Sequence, residues 1–170
     1  MILELTLCTV RSYRTDDAES LATYANNRKI WQNLRDGFPH PYSIEDANTF
    51  IQRAVNANPE TMYAICVEGS AVGGIGFSLH GDIERISAEI GYWLGEPFWG
   101  RGIVSEALKA VTEYAMKKHG LLRVYAVPFV SNKASHWVLE KSGYRLEGRM
   151  IKSAIKDGKV MDQLMYACTV

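Results

Sequence analysis

The chain lacks the features that would place it in several large protein classes. No apolar run approaches the roughly 20 residues needed to cross a bilayer, so no membrane partner is expected. Neither sign of charge is in excess: 19 Lys and Arg face 19 Asp and Glu in 170 residues. Non-specific nucleic-acid binding feeds on surplus positive charge, so nucleic acid is not an expected partner either. Any anion site must be a local patch. Cysteine is scarce and odd in number, and Cys8, Cys66 and Cys168 sit far apart without C-x-x-C spacing. That argues against a disulfide framework or a zinc site and points to buried reduced thiols in a cytoplasmic protein. There is no HExxH, no nucleophile-elbow serine and no G-x-x-x-x-G-K-[ST] string, so the sequence offers no metal, triad or P-loop signature. His40, His80, His119 and His136 are scattered and read as solvent-exposed or locally capped. The start, Met1 to Leu7, lacks a basic segment and carries Glu4, so it reads as a strand and not as a signal peptide. No repeat, Pro-rich linker or charge block divides the sequence, and residues 1–170 are read as one domain.

What remains is the composition of a globular protein: 47% hydrophobic, 22% charged and 11% aromatic residues. Residues 3–13 alternate as one strand. Asp16-x-x-Glu19 and Ser43-x-x-Asp46 resemble capping boxes, each opening a helix, with a Gly/Pro loop at 36–41 between them. The middle is strand-rich: 61–67 and 71–79 flank the hairpin signal Glu68-Gly69-Ser70, and 86–94 follows. The strongest helix runs from about Gly102 to His119, with Val104, Ala107, Leu108, Val111 and Ala115 on one stripe and Gly120 as its stop. Residues 121–128 form an apolar strand, Ser131-Asn132 opens a short helix, and strands at 144–151 and 160–169 meet at Asp157-Gly158. The fold class is mixed α/β (α+β), a largely antiparallel sheet whose fourth and fifth strands are joined in parallel through the long helix.

The chemically informative segment is Ala88 to Leu108, where a strand enters a helix through Gly100-Arg101-Gly102. Glycines let backbone amides turn toward one point, and the helix terminus adds partial positive charge, which together suit a phosphate. A dinucleotide fingerprint would need a third glycine where Ser105 stands. A tight turn without a ligand stays open on the Gly-x-Gly pattern alone.

The wider context resembles motif A of the GNAT superfamily of N-acetyltransferases. Gly91-Tyr92-Trp93-Leu94 and Trp99-Gly100-Arg101-Gly102-Ile103-Val104-Ser105-Glu106-Ala107 are similar to the branch of ribosomal-protein alanine N-acetyltransferases, the Rim type. Asn132-Lys-Ala-Ser135 through Gly143-Tyr144, then Glu147-Gly148 and Asp157-Gly158-x-x-x-Asp162, resemble its second motif and closing strands. The resemblance covers essentially the whole chain. It implies a single-domain fold with a seven-stranded, mostly antiparallel sheet, about four helices and splayed central strands. One departure stands at Pro97, where the superfamily commonly has Gln or Arg.

The resemblance implies acetyl-CoA as cosubstrate and no metal, with direct transfer to a primary amine in a ternary complex. The acceptor would be a small molecule or a peptide N-terminus, and the protein a monomer or homodimer. An acyl-CoA-binding or sensing module without turnover is the alternative. By the same resemblance, Trp93 and Leu94 would pair with the pantetheine amides, while Gly100, Arg101, Gly102, Ile103, Val104 and Ser105 would cradle the pyrophosphate. Asn132 would hold the pantetheine arm, unless it is a plain helix cap. Ser135 would protonate the departing thiolate. The family's alternative acid and base positions hold Leu139 and Val127, which leaves Glu89 as the best carboxylate for a base. Trp31, Phe38 and Tyr42, beside Pro39, would line the acceptor pocket or staple the helices to the sheet.

Overall fold

Period-two patterning and helical spacing alternate along the chain, and the computed structural model, which describes residues 1–170, follows that alternation closely. Eight strands form one sheet in the order β1-β2-β3-β4-β5-β6-β8-β7. They are β1 (Ile2–Glu4), β2 (Thr9–Ser12), β3 (Met62–Val67), β4 (Ser70–Leu79), β5 (Ser87–Leu94), β6 (Arg123–Ala126), β7 (Arg145–Lys156) and β8 (Lys159–Thr169). Five helices accompany them: α1 (Ala18–Ala25), α2 (Arg28–Trp31), α3 (Ile44–Val55), α4 (Ile103–His119) and α5 (Lys133–Lys141).

The expected single strand over 3–13 is instead a hairpin, which raises the strand count to eight. Leu5 N–H bonds the Cys8 carbonyl, and the Thr6 and Leu7 amides donate to the Glu106 carboxylate at 3.0 and 2.8 Å. A side chain from α4 thus fixes a turn that apolar alternation alone conceals. The fifth helix has a similar origin. Asn26-Asn27 interrupts the first apolar face, and Asn27 caps the short α2 by accepting the Lys29 amide at 2.9 Å.

Of the two capping boxes, Ser43–Asp46 forms as expected. The first does not form at Asp16–Glu19; the box lies two residues earlier, from Arg14 to Asp17, with Asp17 as its closing acid. The Asp17 carboxylate takes the Arg11 guanidinium at 2.7 and 2.8 Å in a buried pair, and the Arg14 amide at 2.8 Å. The hairpin turns at Glu68-Gly69 and Asp157-Gly158 have positive φ at both residues, the two-residue geometry that matches strand twist. The strand expected over 121–128 is trimmed to Arg123–Ala126.

Only β5 and β6 pair in parallel, with α4 as the crossover between them. The stripe Ile103, Ala107, Leu108, Val111 and Ala115 is buried against one face of the sheet, with Ala88, Ile90, Leu94 and Val124. Leu21, Ala25, Ala47, Ile51 and Ala54 from α1 and α3 cover the other face. At the far end, β7 is an edge strand with two breaks in register against β8, between Leu146 and Gly148 and between Met150 and Ala154.

His136 departs from expectation: it is buried, with its ring nitrogen 3.0 Å from the Phe129 carbonyl. His80 stacks on Tyr125 at 5.7 Å. Cys8 and Cys66 are buried free thiols and Cys168 is half-buried, as expected of reduced cysteines. No helix is long and apolar enough to cross a membrane.

Candidate active site

The site begins where two strands stop pairing. β5 and β6 share only three registered pairs, ending at Glu89 opposite Tyr125, while β5 runs on to Leu94. Beyond Glu89 the β5 edge is open on that side, and a cavity of about 890 Å³ occupies the gap and extends under α2. An unpaired strand edge is a row of donors and acceptors waiting for a strand-like partner. Trp93 and Leu94 both line it. The Leu94 carbonyl is already occupied, accepting the Trp99 indole N–H at 2.7 Å.

At one end of the gap, Gly100 (φ +75°) and Gly102 (φ +81°) turn the backbone into α4. These are left-handed conformations that L side chains rarely adopt. Gly102 is the N-cap and supplies no side chain, so the first amides of α4, at Ile103, Val104 and Ser105, are left without a capping partner. The first-turn acid that would compete for them, Glu106, is drawn away to the β1–β2 turn. Gly100, Gly102, Ile103, Val104 and Ser105 all line the cavity. Arg101 does not: it is exposed, with its guanidinium 5.4 Å from the Phe98 ring. The nearby cation is Lys141, a lining residue whose ammonium lies 3.9 Å from where a Cβ on Gly102 would stand. Sequence reading missed it because Lys141 lies nearly forty positions downstream.

Across the gap, Asn132 caps α5 by accepting the Ser135 amide at 3.2 Å. That cap fixes its carboxamide oxygen while the residue still lines the cavity. Ser135 Oγ lies 2.8 Å from the Tyr92 hydroxyl. Burial pushes the Tyr92 phenol well above its ordinary range, against a smaller opposing effect from Ser135, so it stays protonated. Tyr92 was absent from the sequence-derived candidates; its even position in β5, opposite in face to Glu89 and Trp93, is the signal that points it at α5.

The other face of β5 carries Glu89, Gly91 and Trp93. Glu89 accepts the Arg35 guanidinium at 2.5 Å and remains 27% accessible. Phe38 packs on Trp93 and Tyr42, with ring centroids at 5.6 and 5.0 Å. Both Phe38 and Tyr42 line the cavity, and burial pushes the Tyr42 phenol up to about 12. Trp31 lies outside the lining. Its ring is held 3.9 Å from Lys156 Nζ and 5.1 Å from Arg28, clasping α2 to the tip of the β7–β8 hairpin. Lys156 is buried and also pairs with Asp36 at 2.9 Å. Trp31 therefore staples the helix to the sheet, outside the cavity lining.

A family profile described as an acetyltransferase (GNAT) domain matches residues 8–145. The chain belongs to the GNAT acetyltransferase family. It is similar to the uncharacterized N-acetyltransferase YoaA of Bacillus subtilis, 29% identical over 98% of this chain and 95% of that one. The ribosomal-protein-serine acetyltransferase of Escherichia coli is 32% identical over 82% of this chain and 79% of its own length. Among solved structures, the ribosomal L7/L12 α-N-protein acetyltransferase RimL with coenzyme A superposes with a TM-score of 0.87 at 27% identity, covering 100% and 98% of the two chains. The Microcin C7 self-immunity acetyltransferase MccE, in complex with acetyl-CoA and AMP, gives 0.85 at 26% identity, covering 98% and 94%.

As a GNAT member the chain is an acetyl-CoA-dependent N-acetyltransferase, and the catalytic reading is favoured over a sensing module. Its own residues fit the cosubstrate. A Cβ on Gly100 would meet nothing within 4 Å, so the loop leaves room for a phosphate. The unpaired β5 edge, the uncapped amides of α4 and the Lys141 ammonium supply strand-like pairing, anion donors and a counter-charge. No group of three or more His, Cys, Asp or Glu is placed to hold a metal ion.

Proposed function

We propose that this chain acetylates the terminal amine of a peptide or protein, by direct attack in a ternary complex in the cytoplasm. The observation that carries the reading is that the gap between β5 and β6 opens between two chemically different faces. Ser135 and Tyr92 lie on the α5 side, and Glu89 lies on the α2 side. A proton can then leave on one side and arrive on the other without crossing the acyl group.

Acetyl-CoA supplies the acyl group as a thioester. Trp93 and the free backbone of the β5 edge hold its pantetheine arm with Asn132, and the amides from Gly100 to Ser105 with Lys141 hold its phosphates. On the acceptor side, Glu89 orders a water that takes the proton lost by the attacking amine. Ser135 Oγ–H is directed by Tyr92 and donates to the sulfur as the C–S bond breaks. One proton leaves nitrogen for the water at Glu89, one reaches sulfur from Ser135, and Ser135 regains its own from solvent through the Tyr92 hydroxyl, so the balance closes. Positioning, more than covalent chemistry, accounts for the rate.

Two observations favour a terminal amine over a polycation. Glu89 is the single carboxylate lining the cavity, and it is already paired with Arg35. Polyamines and aminoglycosides carry several ammonium groups and need several acids. Relatives also carry names such as ribosomal-protein-serine acetyltransferase and ribosomal protein uS5-alanine N-acetyltransferase. The test is an acceptor screen with mass detection, using peptides that begin with Ala, Ser or Met beside spermidine and an aminoglycoside. Acetylation of a peptide α-amine is expected. Product only from the polycations would overturn the assignment.

A further inference from the structure

The α2-facing side of the sheet contains a bare patch beside the reaction centre. Gly76 of β4 and Gly91 of β5 are directly opposed in the antiparallel register, flanked by the pairs Gly74–Trp93 and Ser78–Glu89. Strand interiors disfavour glycine, because it adds backbone entropy and packs no side chain, so two opposed glycines call for a reason. Gly91 has no conformational need for it, since its φ is not positive and a Cβ there would meet nothing within 4 Å. It is exposed, and with Gly76 it lines the cavity. Gly76 is glycine for a different reason, since a Cβ there would stand 2.8 Å from the Thr61 carbonyl oxygen; the open space over this backbone floor lies at Gly91.

The surroundings of that space are graded. At one end stand Trp93 and the Phe38 ring packed on its edge. Leu34, after α2, lines the same cavity with an apolar side chain. At the other end, two residues along β5, Glu89 meets Arg35. The cosubstrate does not need this floor. Its groups line the β5 edge and the α4 and α5 side, which is the face that Tyr92 serves and Gly91 does not.

We infer that the open space over Gly91 receives the acceptor's first side chain, and that this side chain is large, flat and apolar, an aromatic ring above all. The inference rests on the acetyltransferase reading and adds the class of acceptor. The amine lies toward Glu89. The ring lies on bare peptide planes against Trp93 and Phe38, where apolar area leaves water and edge-to-face contacts form. A small first residue such as Ala leaves the floor wet. Gly91 is then a specificity-determining residue, since any side chain there occupies the ring's place.

Two peptides that differ only in the first residue, Phe or Ala, test this with the full-length protein. Wild-type kcat/KM is expected to favour the Phe peptide by at least about tenfold. In Gly91→Val, which has room for its side chain in the free protein, that ratio is expected to collapse by at least about tenfold. Calorimetric titration of the same peptides into the coenzyme A complex should show the same order of affinity. Acetylation with no preference for Phe, or a Gly91→Val variant that scales both peptides equally, overturns the slot and leaves the transferase reading intact. Preferential binding of the Phe peptide without acetylation of either supports the slot and overturns the transferase reading instead. A Gly91→Ala variant, with the smaller Cβ alone, should give an intermediate ratio and guards against a misfolded Val variant.

Discussion

The two halves of the cavity are built by different means. The cosubstrate half is made largely of backbone: an open strand edge, two glycines at positive φ and the uncapped amides of α4. Most of it comes from one run, residues 93–105, so a few neighbouring identities specify it. The acceptor half is made of side chains brought together from distant segments. Arg35 meets Glu89 across 54 positions, and Phe38 packs on Trp93 from the segment after α2. Backbone sites tolerate sequence drift wherever the glycines persist, whereas side-chain sites change with single substitutions. The first kind suits a ligand shared by a whole family and the second an acceptor that varies among its members.

Substitutions in each half should separate the two. The largest effect belongs to the acceptor side. Glu89→Gln keeps the shape and removes the basicity, so kcat should fall about 100-fold with the acetyl-CoA KM unchanged. The acid limb of the pH–rate profile should move as well. Wild-type kcat and profile in that variant would leave proton removal to water alone. Ser135→Ala should cost a comparable factor, about 100-fold in kcat, because a leaving-group donor acts in the transition state. A raised KM at constant kcat would make Ser135 a cosubstrate contact.

On the cosubstrate side, Gly102→Glu should raise the calorimetric Kd for acetyl-CoA at least about tenfold, or about 1.4 kcal/mol. A carboxylate there repels phosphate, and the φ of +81° strains any side chain. Unchanged affinity in a folded variant would remove the loop from the site. Tyr92→Phe deletes one hydrogen bond worth about 1 kcal/mol, so kcat should fall about fivefold with the acetyl-CoA Kd retained. A loss of cosubstrate affinity instead would place Tyr92 among the cosubstrate's supports. The smallest effect lies outside both halves. Burial raises the Cys8 and Cys66 thiols to about 11. At pH 8 only about one part in a thousand of each is thiolate, and labelling should rise tenfold per pH unit until the protein unfolds. Rapid modification of the native protein at pH 7 would show that these side chains open to solvent.

The same contrast explains what the residues reveal unaided. The α4 stripe, the Ser43–Asp46 box, both two-residue hairpin turns and the parallel crossover follow from local periodicity and turn chemistry, and all are present. So does the tight turn at Gly100 and Gly102, both at positive φ. Three features escaped because their cause is remote. The β1–β2 turn depends on Glu106, a hundred positions on. The ammonium beside the loop belongs to Lys141 from α5, while the adjacent Arg101 lies over the Phe98 ring. Trp31, an aromatic in the right stretch of chain, is claimed by Lys156 from the opposite end of the sheet. Periodicity reports which face is buried; it does not report the partner.

The two ends of the sheet bear on how the protein behaves at high concentration. A sheet of eight strands with free margins invites end-to-end stacking of molecules into filaments, since every unpaired amide row is a template. Here β1 offers only three residues, Ile2–Glu4, too short a rail to recruit a neighbour firmly. At the opposite margin, β7 is long and shows Leu146, Ile151 and Ile155 at 54, 72 and 68% exposure, an inviting surface for aggregation. Its two register breaks interrupt the row of unpaired amides, and Arg145, Arg149 and Lys152 stud it with like charge. Both margins are thus blunted against polymerisation, one by brevity and the other by irregularity. Straightening β7 by deleting a bulge residue would remove that protection before it altered catalysis.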